Sequence, residues 1–310
     1  NPLYCEVGNE IRFSALRKAE DWTTVDDAGS IVHETQDGEE INGLNEGIGH
    51  VTVFKPNSIY ELWGKGPSSY VLEPAGTDIG VVADKAATVH DDMMPFIGRD
   101  GIYLYQGGVR PDKRFSDPVQ SFIRGSNKSQ REKSVVGSDG EHIYFSFPYS
   151  GNENDMILQY SPEYMSWYPW KGISPTHMIK VGSDFYIGDS QGRVLKLGGD
   201  TDNGTPIQFK AVTKPFTSGT ATRLMKWFKL YVVVDMKAGS TMNISLSPKA
   251  RGEDWVLAKT LTADSDIQYK KILIPTNSIA NVNAVRIKLE GSGQVRVHEI
   301  TRQLREMPMR

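Results

Sequence analysis

Short apolar runs alternate with turn-forming clusters along this chain. One arrangement recurs five times: an apolar strand end, a turn of Gly, Asn, Asp or Ser, and a strand opening on Ile, Tyr or Phe. The copies span Val7 to Phe13, Phe54 to Tyr60, Ile97 to Tyr103, Val136 to Tyr144 and Val181 to Tyr186. Between their markers Asn9, Asn57, Asp100, Asp139 and Asp184 the spacings are 48, 43, 39 and 45 residues, against roughly 40–50 for a four-stranded propeller blade. Asp-Gly and Asn-Ser pairs tolerate φ > 0 and close two-residue hairpins whose twist suits the flanking strands. Each copy therefore reads as a hairpin, and further strand-like runs follow, such as Tyr60-Glu61-Leu62-Trp63 and Ile157-Leu158-Gln159-Tyr160. One small sheet cannot bury both its faces, whereas sheets stacked radially can. The pattern predicts a β-propeller of about five blades over residues 1–200, its ring closed by either terminus.

After the polar hinge Asp200-Thr201-Asp202-Asn203-Gly204 the period disappears. Longer runs take over at Ile207 to Val212, Phe228 to Val234, Thr241 to Leu246, Lys271 to Ile274, Ala284 to Leu289 and Gln294 to Ile300. Separated by Gly, Ser and Asp turns, they predict a jelly-roll-like β-sandwich over 201–310 and very little helix. The expected fold class is all-β throughout, and a length of 310 residues suits two cores better than one.

Composition narrows function more than fold. Charged residues make up 24%, hydrophobic residues 38%, and the formal net charge of -3 asks for no nucleic acid. No run of about 18 apolar residues is present, and no basic-then-apolar leader opens the chain, so neither a membrane span nor a signal peptide is expected. The first residue is Asn1 rather than Met, which points to processing or to a preceding segment. The one cysteine, Cys5, lies in an apolar run and is expected to be a buried, inert thiol.

Catalytic constellations are absent from the pattern. The six histidines, His33, His50, His90, His142, His177 and His298, include no pair at the helical i, i+4 spacing of a metal site. Acids follow three of them, at His33-Glu34, His90-Asp91 and His298-Glu299, but strand neighbours point to opposite faces. No Gly-x-Ser-x-Gly elbow occurs. The glycine-rich Gly43-Leu44-Asn45-Glu46-Gly47-Ile48-Gly49 lacks the lysine and helix of a phosphate loop, which leaves it as a turn before Val51 to Phe54. Asp26-Asp27, Glu39-Glu40 and Asp91-Asp92 supply the residue type a glycosidase uses. Gly137-Ser138-Asp139-Gly140 and Gly182-Ser183-Asp184, however, lack the tryptophan of a sialidase-type Asp box. No catalytic, cofactor-binding or metal-binding set emerges, so neither a cofactor nor an enzymatic activity is expected.

Two features suit interaction. Between Gly108 and Val136, Arg110, Lys113, Arg114, Arg124, Lys128, Arg131 and Lys133 are opposed only by Asp112, Asp117 and Glu132. This basic segment reads as a solvated loop, or as one that fits an acidic partner face or the lining of a DNA channel. The run Tyr164-Met165-Ser166-Trp167-Tyr168-Pro169-Trp170 offers Trp167 and Trp170 for stacking on a glycan, or for packing at the end of a blade.

Several segments resemble a group of tailed-bacteriophage virion proteins: Asn1-Pro2-Leu3-Tyr4, Ile11-Arg12-Phe13-Ser14-Ala15-Leu16, Glu20-Asp21-Trp22 and the run from Val51 through Phe54-Lys55-Pro56-Asn57-Ser58-Ile59-Tyr60-Glu61-Leu62. In that group a strand ending Phe-Ser-Ala leads to an Asp-Trp turn, and Val-Phe-Lys precedes Ser-Ile-Tyr-Glu-Leu. Gly98-Arg99-Asp100-Gly101-Ile102-Tyr103, Tyr144-Phe145-Ser146-Phe147-Pro148, and Met156 to Tyr160 running into Trp167 extend the similarity over most of 1–200. The group resembles the propeller-bearing tail tubular, nozzle or hub proteins of short-tailed phages. The resemblance implies a non-enzymatic structural protein of the virion tail that forms a homo-oligomeric ring around the DNA exit channel. It implies contacts to a portal-side adaptor and to tail fibres, DNA contact that is indirect or channel-lining, and no membrane partner. It brings no catalytic residues, and a ring-forming nozzle carries further segments before its propeller. The competing expectation is a carbohydrate-binding or glycan-hydrolysing propeller that recognises a host surface glycan.

Overall fold

Each of the five repeat copies folds as a hairpin, and the hairpins belong to five separate antiparallel sheets. The computed structural model describes residues 2–33, 38–199, 201–202, 204–218, 223–277 and 279–306. It divides into two compact units, Asn1–Leu197 and Gly198–Arg310, and its regular structure is all-β apart from short helical turns.

In the first unit the sheets follow the chain. The first holds β1 (Tyr4–Val7), β2 (Glu10–Phe13) and β3 (Gly29–Val32), and the second β4 (Gly43–Glu46), β5 (Val51–Phe54), β6 (Ser58–Trp63) and β7 (Val71–Thr77). The third pairs β8 (Met94–Ile97) with β9 (Ile102–Tyr105), widened by single bridges from Ala87 to Phe96 and from Asp112 to Leu104. The fourth holds β10 (Val135–Ser138), β11 (Ile143–Phe147), β12 (Met156–Ser161) and β13 (Ser166–Trp170), and the fifth β14 (Pro175–Val181), β15 (Asp184–Asp189) and β16 (Val194–Lys196). Between the third and fourth sheets the chain makes helix α1 (Gln120–Arg124), flanked by 3-10 turns at Arg114–Val119 and Lys128–Lys133.

The turn chemistry differs from copy to copy. Only β1–β2 and β14–β15 have two-residue connections, and there Gly8 and Gly182 both adopt φ 62, which a side chain would resist. The β10–β11 turn is longer. In it Asp139 serves as an acceptor, its Oδ1 taking the amides of Glu141 (2.8 Å) and His142 (2.6 Å). Two other expectations change. Gly43–Glu46 is a strand paired with β5 rather than a turn, because Gly43 lies against the backbone of Asp84, where a Cβ would be 3.1 Å from the carbonyl oxygen. Cys5 is half-buried rather than enclosed, because β1 is an outer strand.

Contacts between neighbours, most of them aromatic, join each sheet to the next. Phe13 meets Tyr70 at 5.0 Å and His33 meets Tyr60 at 4.1 Å between the first and second sheets. Phe54 meets Phe96 at 5.2 Å between the second and third. Lys85 O accepts Val136 N–H at 2.8 Å between the third and fourth, and Tyr144 stacks on Phe185 at 5.0 Å between the fourth and fifth. Such ring pairs contribute roughly 0.5–1.5 kcal/mol each beyond the area they bury.

In the second unit β17 (Thr201–Asp202) and β18 (Thr205–Pro206) form a short hairpin. One sheet then orders β19 (Gln208–Val212), β24 (Arg286–Ser292), β21 (Thr241–Ser247) and β22 (Val256–Thr262). The other orders β23 (Ile267–Ile274), β20 (Met225–Met236) and β25 (Val295–Glu306). Trp227, Leu230, Val232 and Val234 of β20 share one core with Met242, Ile244 and Leu246 of β21. Strand β22 has no counterpart in the sequence reading, since its apolar residues Val256 and Leu257 face solvent.

One polar knot ties the second sheet to the third. Glu61, only 5% exposed on β6, accepts from the Tyr105 hydroxyl, from Gly108 N–H at 2.7 Å and from Trp63 Nε1 at 3.1 Å, with His50 Nε2 at 3.4 Å. Burial pushes its pKa up, but these donors together hold it below the usual carboxylate value, whereas burial pushes His50 down despite the pull of Glu61. Both folded pKa values lie below the unfolded ones, so the unfolded chain binds more protons as pH falls. Denaturant melts should therefore lose stability below about pH 6.5, the ordinary imidazole value, and again through the carboxylate range. Glu61→Gln should cost about 2–4 kcal/mol at neutral pH by leaving donors unmatched and should flatten the lower part of that acid limb.

Candidate functional site

Four sheets of the first unit converge on one open cavity of about 410 Å³. Asn45 reaches it from β4, Thr88 to Asp91 from the segment that bridges to β8, Ser138 from β10, and Met178 to Lys180 from β14. Because β4, β10 and β14 are outer strands of their sheets, the cavity lies where sheet edges meet.

His90 is its best-fixed polar group, 4% exposed, with Nδ1 2.7 Å from Ser138 Oγ. That hydroxyl oxygen also accepts the Gly140 amide at 3.1 Å, so Ser138 joins the imidazole to the turn after β10. Asp91 Oδ2 is 3.8 Å from Nε2 and its side chain is exposed, too far to orient the imidazole by a hydrogen bond. Lys180 arches over Gly140, whose φ is 94 and where a Cβ would meet the ammonium at 2.5 Å.

This set offers a hydroxyl, an imidazole, an amide and a cation for binding. Acyl transfer would need the serine base oriented by a carboxylate and paired donors for an oxyanion, and Ser138 has its own oxygen engaged instead. Glycoside hydrolysis uses two carboxyl groups flanking the bond, and among the described residues lining the cavity Asp91 is the single acid. Among the described residues no group of three or more His, Cys, Asp or Glu could hold a metal, and no helix is long and apolar enough to cross a membrane.

The basic segment is folded rather than looped. Lys113, Arg124, Lys128 and Arg131 line a second cavity of about 220 Å³ together with Arg99, which the sequence reading did not single out. Lys113 pairs with Asp100 at 2.7 Å, and Lys133 lies apart, paired with Glu153 at 2.7 Å. Arg110 is exposed on the approach to β9's bridging partner, and the side chain of Arg114 lies outside the described residues.

Trp167 is built into an aromatic cluster with Phe115, Phe145 and Tyr160, its Nε1 donating to Phe115 O at 3.1 Å, and Trp170 packs on Tyr144 at 5.6 Å. Of the acids in tandem, Glu39 bonds the Asn57 amide at 3.1 Å and Asp27 that of Leu16 at 3.2 Å. His298 pairs with Asp235 at 2.8 Å rather than with Glu299, and Glu34 lies outside the described residues. The His50–Glu61 pair escaped the sequence reading because Glu61 sits in an ordinary strand pattern, and its partner Tyr105 is 44 residues away.

No family model and no curated protein matches the chain. Among solved structures it is similar to a chain of a nidogen/laminin complex, at 13% identity and a TM-score of 0.42, over 67% of this chain and 84% of that one. It is also similar to the exo-β-1,3-galactanase of Phanerochaete chrysosporium, at 9% identity and a TM-score of 0.34, over 96% and 95%. A glycoside hydrolase family 43 arabinoxylan arabinofuranohydrolase of Bacillus subtilis aligns at 9% identity with a TM-score of 0.25, again over 96% and 95%.

Proposed function

We propose that the chain is a non-enzymatic structural component of a bacteriophage tail, a propeller of about five blades joined to a sandwich that docks neighbouring virion proteins. Five sheets, each packed on the next and several offering an outer strand to one cavity, suit blades around an axis. Two sheets that share one core suit a sandwich.

The observation that carries the docking role is the outer face of the β23–β20–β25 sheet. Leu273 opposes Tyr231 there and is 51% exposed, and Tyr269 on the same strand is 69% exposed. Lys271 lies over the Tyr231 ring at 4.3 Å. None of these side chains belongs to the core below, and exposed Tyr269 and Leu273 beside Lys271, Glu299 and Thr301 give the mixed apolar and charged face that suits a protein contact. The segments that resemble phage virion proteins supply the setting, and the contact fits an adaptor, a fibre or a second copy of the chain in a ring.

Virions made from the genome encoding this chain should label with antibody at the tail, whereas absence of the chain from purified particles would contradict the assignment. Replacing Tyr269 and Leu273 together by Asp should change unfolding stability by no more than about 1 kcal/mol, as for exposed positions, and should remove the chain from those particles.

Binding of a host glycan is the second reading, favoured by the polar cavity around His90, Ser138, Asn45 and Lys180, whose size suits one or two sugar rings. If it holds, a glycan array should give a hit that Ser138→Ala and Asn45→Ala each weaken about tenfold. An array without hits would leave His90 and Ser138 as a structural pair.

A further inference from the structure

The second cavity joins three separate stretches of chain. Arg99 and Asp100 come from the β8–β9 turn, Gln120 and Arg124 from α1 and its approach, and Lys128 and Arg131 from the 3-10 turn before β10. Its one carboxylate, Asp100, is already engaged, held by Lys113 Nζ at 2.7 Å and by the Tyr103 hydroxyl. Those donors hold Asp100 in its charged form: burial raises its pKa, but the bonds from Lys113 and Tyr103 outweigh that and lower it.

Arg131 is the anchor. It donates from Nε to Ser126 Oγ at 3.3 Å, from Nη2 to Ser126 Oγ at 3.0 Å and to Ile123 O at 3.3 Å, and from Nη1 to Arg99 O. Every one of these acceptors is neutral. A half-buried guanidinium fixed by neutral oxygens keeps its full charge in place, and burial presses its pKa down. Among the described residues Arg99, Arg124, Lys128 and Arg131 form no ion pair. Asp100 offsets one of the five cations that line this space of about 220 Å³, its field reaching Arg131 as well as Lys113, and a surplus of positive charge remains around the cavity.

We propose that this cavity is a binding site for a tetrahedral oxyanion of the phosphate class, with Arg131 and Arg99 as its floor and Arg124 and Lys128 as its movable arms. Arg99 and Arg124 hold planar guanidinium forks that match such an anion bidentately, Lys128 adds a point charge, and Arg131, with four of its five N–H donors already bonded to the protein, adds its fixed charge and one remaining donor. The volume lies below that of sites for whole drug-sized molecules, so the site takes one phosphate with little of what it is attached to. The same chemistry is offered by free phosphate, by a small phosphate ester and by a nucleic-acid backbone. This inference does not depend on the virion assignment.

The test is isothermal titration of the intact chain at low ionic strength with inorganic phosphate, with a short DNA duplex and with an oligoglutamate peptide. Arg124→Ala and Lys128→Ala are the variants, since both side chains are exposed and hold no structural bond among the described residues. Phosphate should bind at one site per chain, and each variant should weaken it about tenfold with an unchanged circular dichroism spectrum. DNA binding that phosphate displaces would assign the anion to a nucleic-acid backbone, and phosphate binding without DNA binding would assign it to a small phosphate. Absence of phosphate binding, affinity untouched in both variants, or oligoglutamate binding as tightly as phosphate would each overturn the proposal.

Discussion

Sheets of two to four strands, most of those strands only four to seven residues long, have two apolar faces and too little area to stand alone. The first unit solves this by packing each sheet face against the next. Phe54, Ile59, Phe96, Ile102, Phe145 and Leu158, drawn from three consecutive sheets, belong to one buried cluster. Everything else in that unit follows from the packing. Strand interiors are committed to apolar contact, so polar groups appear either in knots that lock neighbouring sheets or along sheet edges and turns.

Glu61 and His90 illustrate the two fates. Glu61 is enclosed, with its lone pairs taken up by Tyr105, Gly108 and Trp63, and its charge serves to fix the β6 strand to the turn after β9. His90 is just as buried, yet it faces a cavity at the sheet edges, and its partner Ser138 lies on the neighbouring sheet. The arrangement favours binding over chemistry, because the imidazole is oriented by a hydroxyl and the nearest carboxylate stands 3.8 Å away. The basic segment shows the same economy. Val119 and Ile123 of its short helices join the buried cluster that holds the third and fourth sheets, while Lys113, Arg124, Lys128 and Arg131 line one cavity.

The sequence was legible where the signal is local. Gly8-Asn9 and Gly182-Ser183 mark hairpins because the turn itself demands a glycine at positive φ. It was less legible where tertiary approach decides. Gly43–Glu46 reads as a flexible turn, but its glycine permits a strand to lie against Asp84. Strand β22 is an outer strand with exposed apolar residues and carries no clean alternation. Charge counting found the basic segment, but Arg99 joins it only through a bond to Arg131, 32 residues later. Trp167 and Trp170 could not be assigned between stacking and packing until Phe115 and Tyr144 were placed beside them.

Native-state hydrogen exchange on the intact chain probes the packing constraint most directly. If the sheets of the first unit stand only through one another, the slowest amides of β5, β8, β11 and β12 lose protection together, at one free energy and with one denaturant dependence. Separate exchange of those strands, each sheet opening at its own free energy, would contradict the account and make the sheets independent modules.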